Sequence, residues 1–307
     1  MPLNETTLFV FFNIFILVML AIDLGVFNKK AHTVSVTEAV VWSIVWFLLA
    51  MLFNVGVFVY AGSTTALEFL TGYIIERALS FDNIFVFVII FSYFGVPSKY
   101  HHRVLFWGVV GALITRSIFI AAGAALISRF EWVLYLFGVI LVVSGWKMMT
   151  EKDIEVHPDK NIVIRLARRV FPVATGWESS GFFLTHNGKL HITTLFLVLL
   201  TVETTDIVFA VDSIPAVFGV THDPFIVYSS NVFAILGLRA TYFLLAGVMG
   251  SFQYLSHGLS LVLMFIGIKM LTADFVHVPI AVSLGIVALI LGVAIVASLI
   301  KRQRERT

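Results

Sequence analysis

The sequence contains no cysteine and few charged residues. Of its 307 residues, 12% are charged and 60% are hydrophobic, whereas a soluble domain carries about 25% charged residues. The absence of cysteine excludes disulfides, zinc–thiolate sites, iron–sulfur clusters and thiol catalysis by this chain. A soluble chain this apolar would have more apolar surface than it could bury, and a disordered chain would be polar. The composition therefore indicates an integral membrane protein.

Long apolar runs predict an all-α fold of about nine transmembrane helices, because a bilayer core of ~30 Å needs about 20 apolar residues per helix. The first run has no basic segment before it and no small-residue cleavage site, so we expect a span and not a signal peptide. The whole chain, 1–307, is then a single transmembrane domain. The predicted spans are 7–27, 40–60, 69–95, 104–128, 132–150, 192–220, 225–249, 256–273 and 278–300.

Lysine and arginine are distributed unequally between the two sides of these spans. Fifteen of the 20 basic residues fall on one side, and only Arg129 and Lys269 fall on the other. The positive-inside rule therefore predicts a multi-pass protein of the cell (inner or plasma) membrane, with its N-terminus outside and its C-terminus in the cytoplasm.

The basic loop 151–191 is cytoplasmic in this topology. Residues 161–171 place apolar side chains at helical spacing beside arginines, which is typical of an interfacial amphipathic helix. Asn187-Gly188 is typical of a hairpin turn. Two interpretations of the loop stay open, a connector held to anionic lipid and a regulatory element.

Two segments of the chain resemble each other. DNIFVFVIIFSYFGV (82–96) aligns without gaps on DIVFAVDSIPAVFGV (206–220). Each copy contains three spans, an odd number, so the copies must be inverted relative to each other. Inverted repeats are typical of secondary transporters, whose substrate sites lie at the repeat interface near the midplane. The predicted divisions are a first repeat at 69–150, the loop at 151–191 and a second repeat at 192–273.

Carboxylates occur deep inside two of these apolar runs. Each ionised carboxylate costs about 2.5–3.5 kcal/mol near a helix centre, which makes such residues functional candidates. A structural alternative pairs some of them with Arg77, Arg116 or Arg239. With adjacent amide and hydroxyl groups, they form a predicted cation site of Glu76, Asp82, Asn83, Glu203, Asp206, Asp212 and Ser213.

A straight helix would not point all of these carboxylates toward one site. Asp206 and Asp212 lie about 120° apart on an ideal helix, so we expect Pro215 to break or kink the sixth span and turn them inward. The repeat register is also open. The gapless alignment pairs Asp82 with Asp206, whereas a gapped one pairs Glu76 with Asp206 and Asp82 with Asp212.

Oxygen ligands without thiolate or imidazole favour hard divalent cations such as Mn²⁺, Mg²⁺ or Ca²⁺. Carboxylates that share a site titrate together and could exchange protons for metal. The leading hypothesis is a proton-coupled transporter of a divalent cation, not an enzyme, with no cofactor and no nucleic-acid partner. A second is a membrane partner protein that acts in stress resistance through loop 151–191. An intramembrane aspartyl protease is disfavoured because the Gly-x-Gly-Asp motif is absent.

The chain resembles the TerC family of integral membrane proteins, in particular its Alx-like members, over about residues 15–300. The resemblance implies an inverted-repeat cation exporter of the LysE-superfamily type. It further implies export of Mn²⁺, with Ca²⁺ as a second candidate, past the five carboxylates. The Glu-Thr-Thr-Asp at 203–206 departs from the expected Glu-Leu-Ser-Asp but keeps both acids. The resemblance is carried by TGYIIERALSFDNIFVF (71–87), VETTDIVFAVDSIPAVF (202–218), DPFIVYSSNVFAILGLRATYFLLAG (223–247) and FIGIKMLTADF (265–275).

Overall fold

A computed structural model describes residues 5–27, 35–150, 161–174, 176–177, 181–186, 189–246 and 254–306. Long helices dominate this part of the chain, which confirms the predicted all-α membrane fold. Residues 28–34, with Lys29 and Lys30, and 151–160 of the basic loop lie outside the described residues. The helices are α1 (Glu5–Phe27), α2 (Val36–Phe94), α3 (Ser98–Arg129), α4 (Val133–Thr150), α5 (Ile162–Val170), α6 (Thr194–Phe218), α7 (Pro224–Leu236), α8 (Leu238–Leu245), α9 (Leu255–Leu271) and α10 (Ile280–Arg306).

The predicted spans coincide with helical structure, but two boundaries differ. Spans 40–60 and 69–95 form one element, α2, which changes direction at Gly62. Gly62 has φ 89° and ψ 178°, a conformation that only glycine adopts without strain. Span 225–249 consists instead of α7 and α8, which meet at Gly237. By length and composition, α2, α3, α4, α6 and α10 can each cross a bilayer.

Side-chain caps explain where several helices begin. The Thr193 hydroxyl accepts a hydrogen bond from the amide of Phe196 at the start of α6. The Asp223 carboxylate accepts from the amides of Phe225 and Ile226 at the start of α7, where Pro224 occupies the first helical position. These contacts satisfy amides that have no partner inside the helix, so both helices begin at defined residues.

The distribution of polarity is the reverse of that in a soluble protein. Val59 and Leu289 expose 74% and 67% of their surface, whereas Glu76 and Arg116 expose 0% and 2%. Many further large apolar side chains of α1, α2, α4 and α10 are exposed. A fold with apolar residues outside and charged residues inside is suited to a bilayer, where lipid covers the apolar surface.

The loop between α4 and α6 carries a three-stranded sheet beside the amphipathic helix α5. Its strands are β1 (Val173–Ala174), β2 (Phe183–His186) and β3 (Lys189–Thr193), in the order β1-β3-β2. β2 pairs antiparallel with β3, with His186 opposite Lys189, which confirms the predicted hairpin. Its turn, Asn187-Gly188, lies outside the described residues. α5 confirms the helix predicted at 161–171.

The expected break of the sixth span at Pro215 is wrong. α6 is one continuous helix from Thr194 to Phe218 with Pro215 inside it. Pro215 lies in the last turn, and its own carbonyl accepts from the amide of Gly219 at 2.9 Å. Pro215 cannot donate a hydrogen bond to the Val211 carbonyl, but the helix continues through it to Phe218.

α4 and α9 pack antiparallel with their backbones in close approach. A Cβ atom at Gly267 would lie 2.7 Å from the Gly138 carbonyl oxygen, and one at Gly145 would lie 2.7 Å from the Ser260 carbonyl oxygen. Such distances are too short for any side chain, so glycine is required for this contact. Small residues at helix interfaces are how membrane helices pack closely without a hydrophobic driving force.

We predict that Gly267→Leu destabilises the protein by about 1–3 kcal/mol, because the added side chain must push α4 and α9 apart. Gly292→Leu is the matched control, since a Cβ at Gly292 in α10 meets nothing within 4 Å. Thermal unfolding in detergent should show a lower midpoint for Gly267→Leu alone. Equal midpoints for the two variants would contradict the close packing.

Candidate functional site

The side chain of Arg116, in the middle of α3, joins the two helices that carry the predicted carboxylates. Its Nη1 donates to a carboxylate oxygen of Glu76 on α2 and, at 3.1 Å, to the hydroxyl of Ser213 on α6. Its Nη2 and Nε donate to the two oxygens of Asp206 on α6, at 3.0 and 3.3 Å. A planar guanidinium binds a carboxylate most strongly through such paired contacts. One guanidinium therefore holds both acids.

These four residues, Glu76, Arg116, Asp206 and Ser213, form what we call the central cluster. All four are buried, and Asp206 exposes 5% of its surface. Removing each charge from water costs several kcal/mol, which is repaid only when the charges are paired and hydrogen-bonded. Two carboxylates share this one guanidinium, so the cluster is negative whenever both are ionised and would then attract cations.

Polar atoms near these residues have unused bonding capacity. The Asn83 amide nitrogen lies 3.5 Å from a carboxylate oxygen of Asp206 and borders the central cluster. Among the residues that the structure describes, Oε2 of Glu76 and Oδ2 of Asp82 are buried without a hydrogen-bond partner. An unsatisfied buried acceptor costs about 1–3 kcal/mol, more when it is charged. Such oxygens indicate positions where a water or a cation completes the bonding.

Asp82 and Asp212 each contact a serine of another helix. Oδ1 of Asp82 lies 3.5 Å from the hydroxyl of Ser256 on α9. Oδ1 of Asp212 accepts from the hydroxyl of Ser144 on α4 at 2.6 Å. Asp82 is buried, whereas Asp212 is half-buried. These two acids thus connect the central helices α2 and α6 to the packed pair α4 and α9.

Glu203 lies toward α3 and not within the central cluster. Its carboxylate occupies the space that a side chain at Gly111 would fill, so only glycine at position 111 leaves room for it. The next residue, Thr204, accepts from the Asn161 amide nitrogen at 2.7 Å. Asn161 also caps α5 by accepting from the amide of Val163. The loop helix α5 is therefore attached directly to the segment that bears Glu203.

The seven predicted site residues are brought together only in part. Glu76, Asp206 and Ser213 form the central cluster with Asn83 at its border, while Asp82, Asp212 and Glu203 make separate contacts. Within the described ranges, no three carboxylate or imidazole side chains form a group that could hold a metal ion. The position between Glu76 and Asp206 is instead filled by Arg116.

One cavity borders the site, and another lies at one end of α6. A cavity of about 10 Å³, bordered by Asp206, Leu105, Gly108 and Val202, lies beside the central cluster and has the size of about one water. A larger one of about 310 Å³ lies at the C-terminal end of α6, between Glu68, His222, Lys269 and His277. The central cluster is thus closed to a hydrated ion in this conformation.

Sequence reasoning missed several polar contacts of the site. Ser144 is a single serine within an apolar run and Ser256 lies at the start of another, and only the packing of α4 and α9 brings them to the acids. Asn231, in α7, is buried, and neither of its side-chain polar atoms has a partner among the described residues. An amide inside the apolar run 225–249 was the available signal for it. The structural alternative paired some acids with Arg77, Arg116 or Arg239, and Arg116 does pair with two of them.

Comparison with known proteins identifies a family that matches most of the chain. The profile described as "Integral membrane protein TerC family" matches residues 61–306. A "Putative membrane-bound redox modulator Alx" of Escherichia coli K12 is 48% identical over 90% of this chain and 89% of its own length. Its namesake in Salmonella typhi is 47% identical over 96% and 95%. An uncharacterized membrane protein of Myxococcus xanthus is 50% identical over 95% and 92%. No solved structure matches the chain.

Arg116→Gln should lower the free energy of unfolding by about 3 kcal/mol or more, because it leaves the buried Glu76 and Asp206 carboxylates without their shared partner. Asp212→Asn should cost about 1 kcal/mol or less, since an amide oxygen can still accept from Ser144. Chemical unfolding of both purified variants in one detergent measures the difference. Equal losses would show that the contact with Arg116 contributes no special stability.

Proposed function

This chain belongs to the TerC family of integral membrane proteins, and from that premise we propose that it is a secondary transporter of a divalent metal cation. The expected cargo is Mn²⁺, with Ca²⁺ as the second candidate, and the expected direction is out of the cytoplasm in exchange for protons. The intramembrane carboxylates Glu76, Asp82, Glu203, Asp206 and Asp212 form the pathway, with Asn83 and Ser213 as additional oxygen ligands. The membrane is the cell membrane, with the N-terminus outside.

One observation carries the proposal, the burial of more carboxyl groups than guanidinium partners between α2 and α6. Glu76 and Asp206 share a single guanidinium, and Asp82 adds a buried carboxylate that has an oxygen without a hydrogen-bond partner among the described residues. Burying these acids is costly, and packing alone does not require them. A passing cation would supply the missing positive charge, and oxygen atoms are the ligands that Mn²⁺ and Ca²⁺ prefer.

The crosswise contacts of Asp82 and Asp212 support an inverted repeat. Asp82, in the first predicted repeat, contacts Ser256 of the second, while Asp212, in the second, contacts Ser144 of the first. Glu76 and Asp206, one from each repeat, both bind Arg116. Ser144 and Ser256 are not equivalent positions of the two copies, so these contacts do not distinguish the gapped from the gapless register. An inverted repeat around a midplane site is typical of alternating access.

The cavities are consistent with a site that opens to one side at a time. The central cluster borders a space of about 10 Å³ on the side toward Leu105. The cavity of about 310 Å³ lies at the opposite end of α6, which is extracytoplasmic in the proposed topology. An exported ion would leave through this larger cavity after the helices rearrange.

The relatives named as redox modulators raise a second question, whether this chain has redox chemistry of its own. Its 307 residues include no cysteine, so a thiol–disulfide mechanism cannot use its side chains. A transporter of a redox-active metal would change cellular redox balance without any thiol. Transport of such a metal is therefore compatible with the name that the relatives carry.

A partner protein acting through the basic loop is the alternative function, and the surface of α5 favours it. Leu166 and Val170 expose 59% and 61% of their surface on a helix that also carries Arg165, Arg168 and Arg169. A partner in stress resistance could bind there. Replacing these three arginines with glutamine would abolish resistance to tellurite or pH stress in the partner hypothesis and leave cation transport intact.

Asp82→Asn and Asp212→Asn should each lower Mn²⁺ transport at least tenfold, because each removes a charge from the pathway. The measurement is Mn²⁺ flux into proteoliposomes under an imposed pH gradient, with Mg²⁺, Ca²⁺ and Zn²⁺ run in parallel. Asp274→Asn is the matched control, since Asp274 is exposed beyond α9 and bonded to Tyr135. Wild-type rates in Asp82→Asn and Asp212→Asn would refute the carboxylate pathway.

A further inference from the structure

Arg116 lies where a bound cation would have to lie. Its guanidinium nitrogens contact Glu76, both oxygens of Asp206 and the hydroxyl of Ser213. These are the oxygens that the proposed function assigns to the transported ion. A guanidinium and a divalent cation are both positive and would repel each other at this buried site, so they compete for the central cluster.

The competition is strong because the guanidinium cannot leave by losing its proton. Arginine keeps its charge inside proteins, and Arg116 is buried with 2% exposure. An incoming ion must therefore displace a full positive charge, and that charge needs another partner. Glu203 offers one. It precedes Asp206 by three residues, about 60° around α6, and its carboxylate lies against Gly111, toward the N-terminal end of α3 from Arg116.

We propose that Arg116 is an internal counter-cation that exchanges with the transported ion. With the site empty, it neutralises Glu76 and Asp206; with the ion bound, it moves one turn along α3 toward Glu203. This inference rests on the proposed cation transport. It assigns to Arg116 a positioning role, in which its return to the central cluster expels the ion and allows the empty transporter to reset.

The exchange has a measurable consequence for affinity. When a ligand must first displace an internal competitor, its apparent affinity is its intrinsic affinity multiplied by the fraction of protein in which the competitor has left the site. Lysine keeps the charge but lacks the planar fork that holds two carboxylates. Arg116→Lys should therefore bind Mn²⁺ at least tenfold more tightly than the wild type and transport it at least tenfold more slowly, because release becomes limiting.

The experiment measures Mn²⁺ binding to purified protein in detergent from the loss of the free Mn²⁺ electron paramagnetic resonance signal. Arg129→Lys, an exposed position on the same helix, is the control and should bind as the wild type does.

A second pair of variants tests the same competition if Arg116→Lys does not fold. Glu76→Gln is compared with Glu76→Gln/Arg116→Gln, which share one ligand set and differ only in the competitor. The double variant should bind at least tenfold more tightly.

The outcomes separate this inference from the transport proposal. Equal or weaker binding after loss of Arg116, in a wild type that binds and transports Mn²⁺, overturns the inference alone. Binding that appears only when Arg116 is replaced, without transport by the wild type, supports competition at the cluster and contradicts transport. No binding of Mn²⁺ by any of the variants overturns both.

Discussion

The contact of one arginine with two acids is the constraint on which the arrangement of the central helices depends. Arg116 reaches from α3 to Glu76 on α2 and to Asp206 on α6, so these three helices must hold their spacing and rotation together. Lipid cannot solvate the charges, and separating the helices would leave each one unpaired. The apolar packing around the cluster can vary in detail, whereas loss of either ion pair would leave a carboxyl group buried without its partner.

Glycines make that spacing possible. Gly111 gives room to the Glu203 carboxylate, and Gly138, Gly145 and Gly267 bring α4 and α9 into backbone contact. The close pair places Ser144 and Ser256 beside Asp212 and Asp82. The glycines and the polar contacts thus depend on each other. The helices approach closely only where glycine has no side chain, and only close helices let short serine side chains reach the acids.

Composition and periodicity were sufficient for the membrane class, the spans and the acids, because charge is rare in this chain and therefore conspicuous. They failed where structure depends on contacts between distant residues. Pro215 suggested a broken α6, yet the helix ends one turn later and tolerates it. An interruption lies instead between α7 and α8, at Gly237. Near it, the Arg77 guanidinium donates at 3.1 Å to the carbonyl of Ala234, a residue 157 positions away in the sequence. Local sequence contains no trace of such a contact.

The proposed exchange of Arg116 with a transported ion would be subject to the membrane voltage. A full elementary charge crossing the whole membrane changes energy by about 2.3 kcal/mol per 100 mV. A guanidinium inside a transmembrane helix bundle that shifts along the membrane normal crosses part of that field, and so does any divalent ion that replaces it. Their charges differ by one unit, so exchanging one for the other cannot be electrically silent unless another charge moves with them.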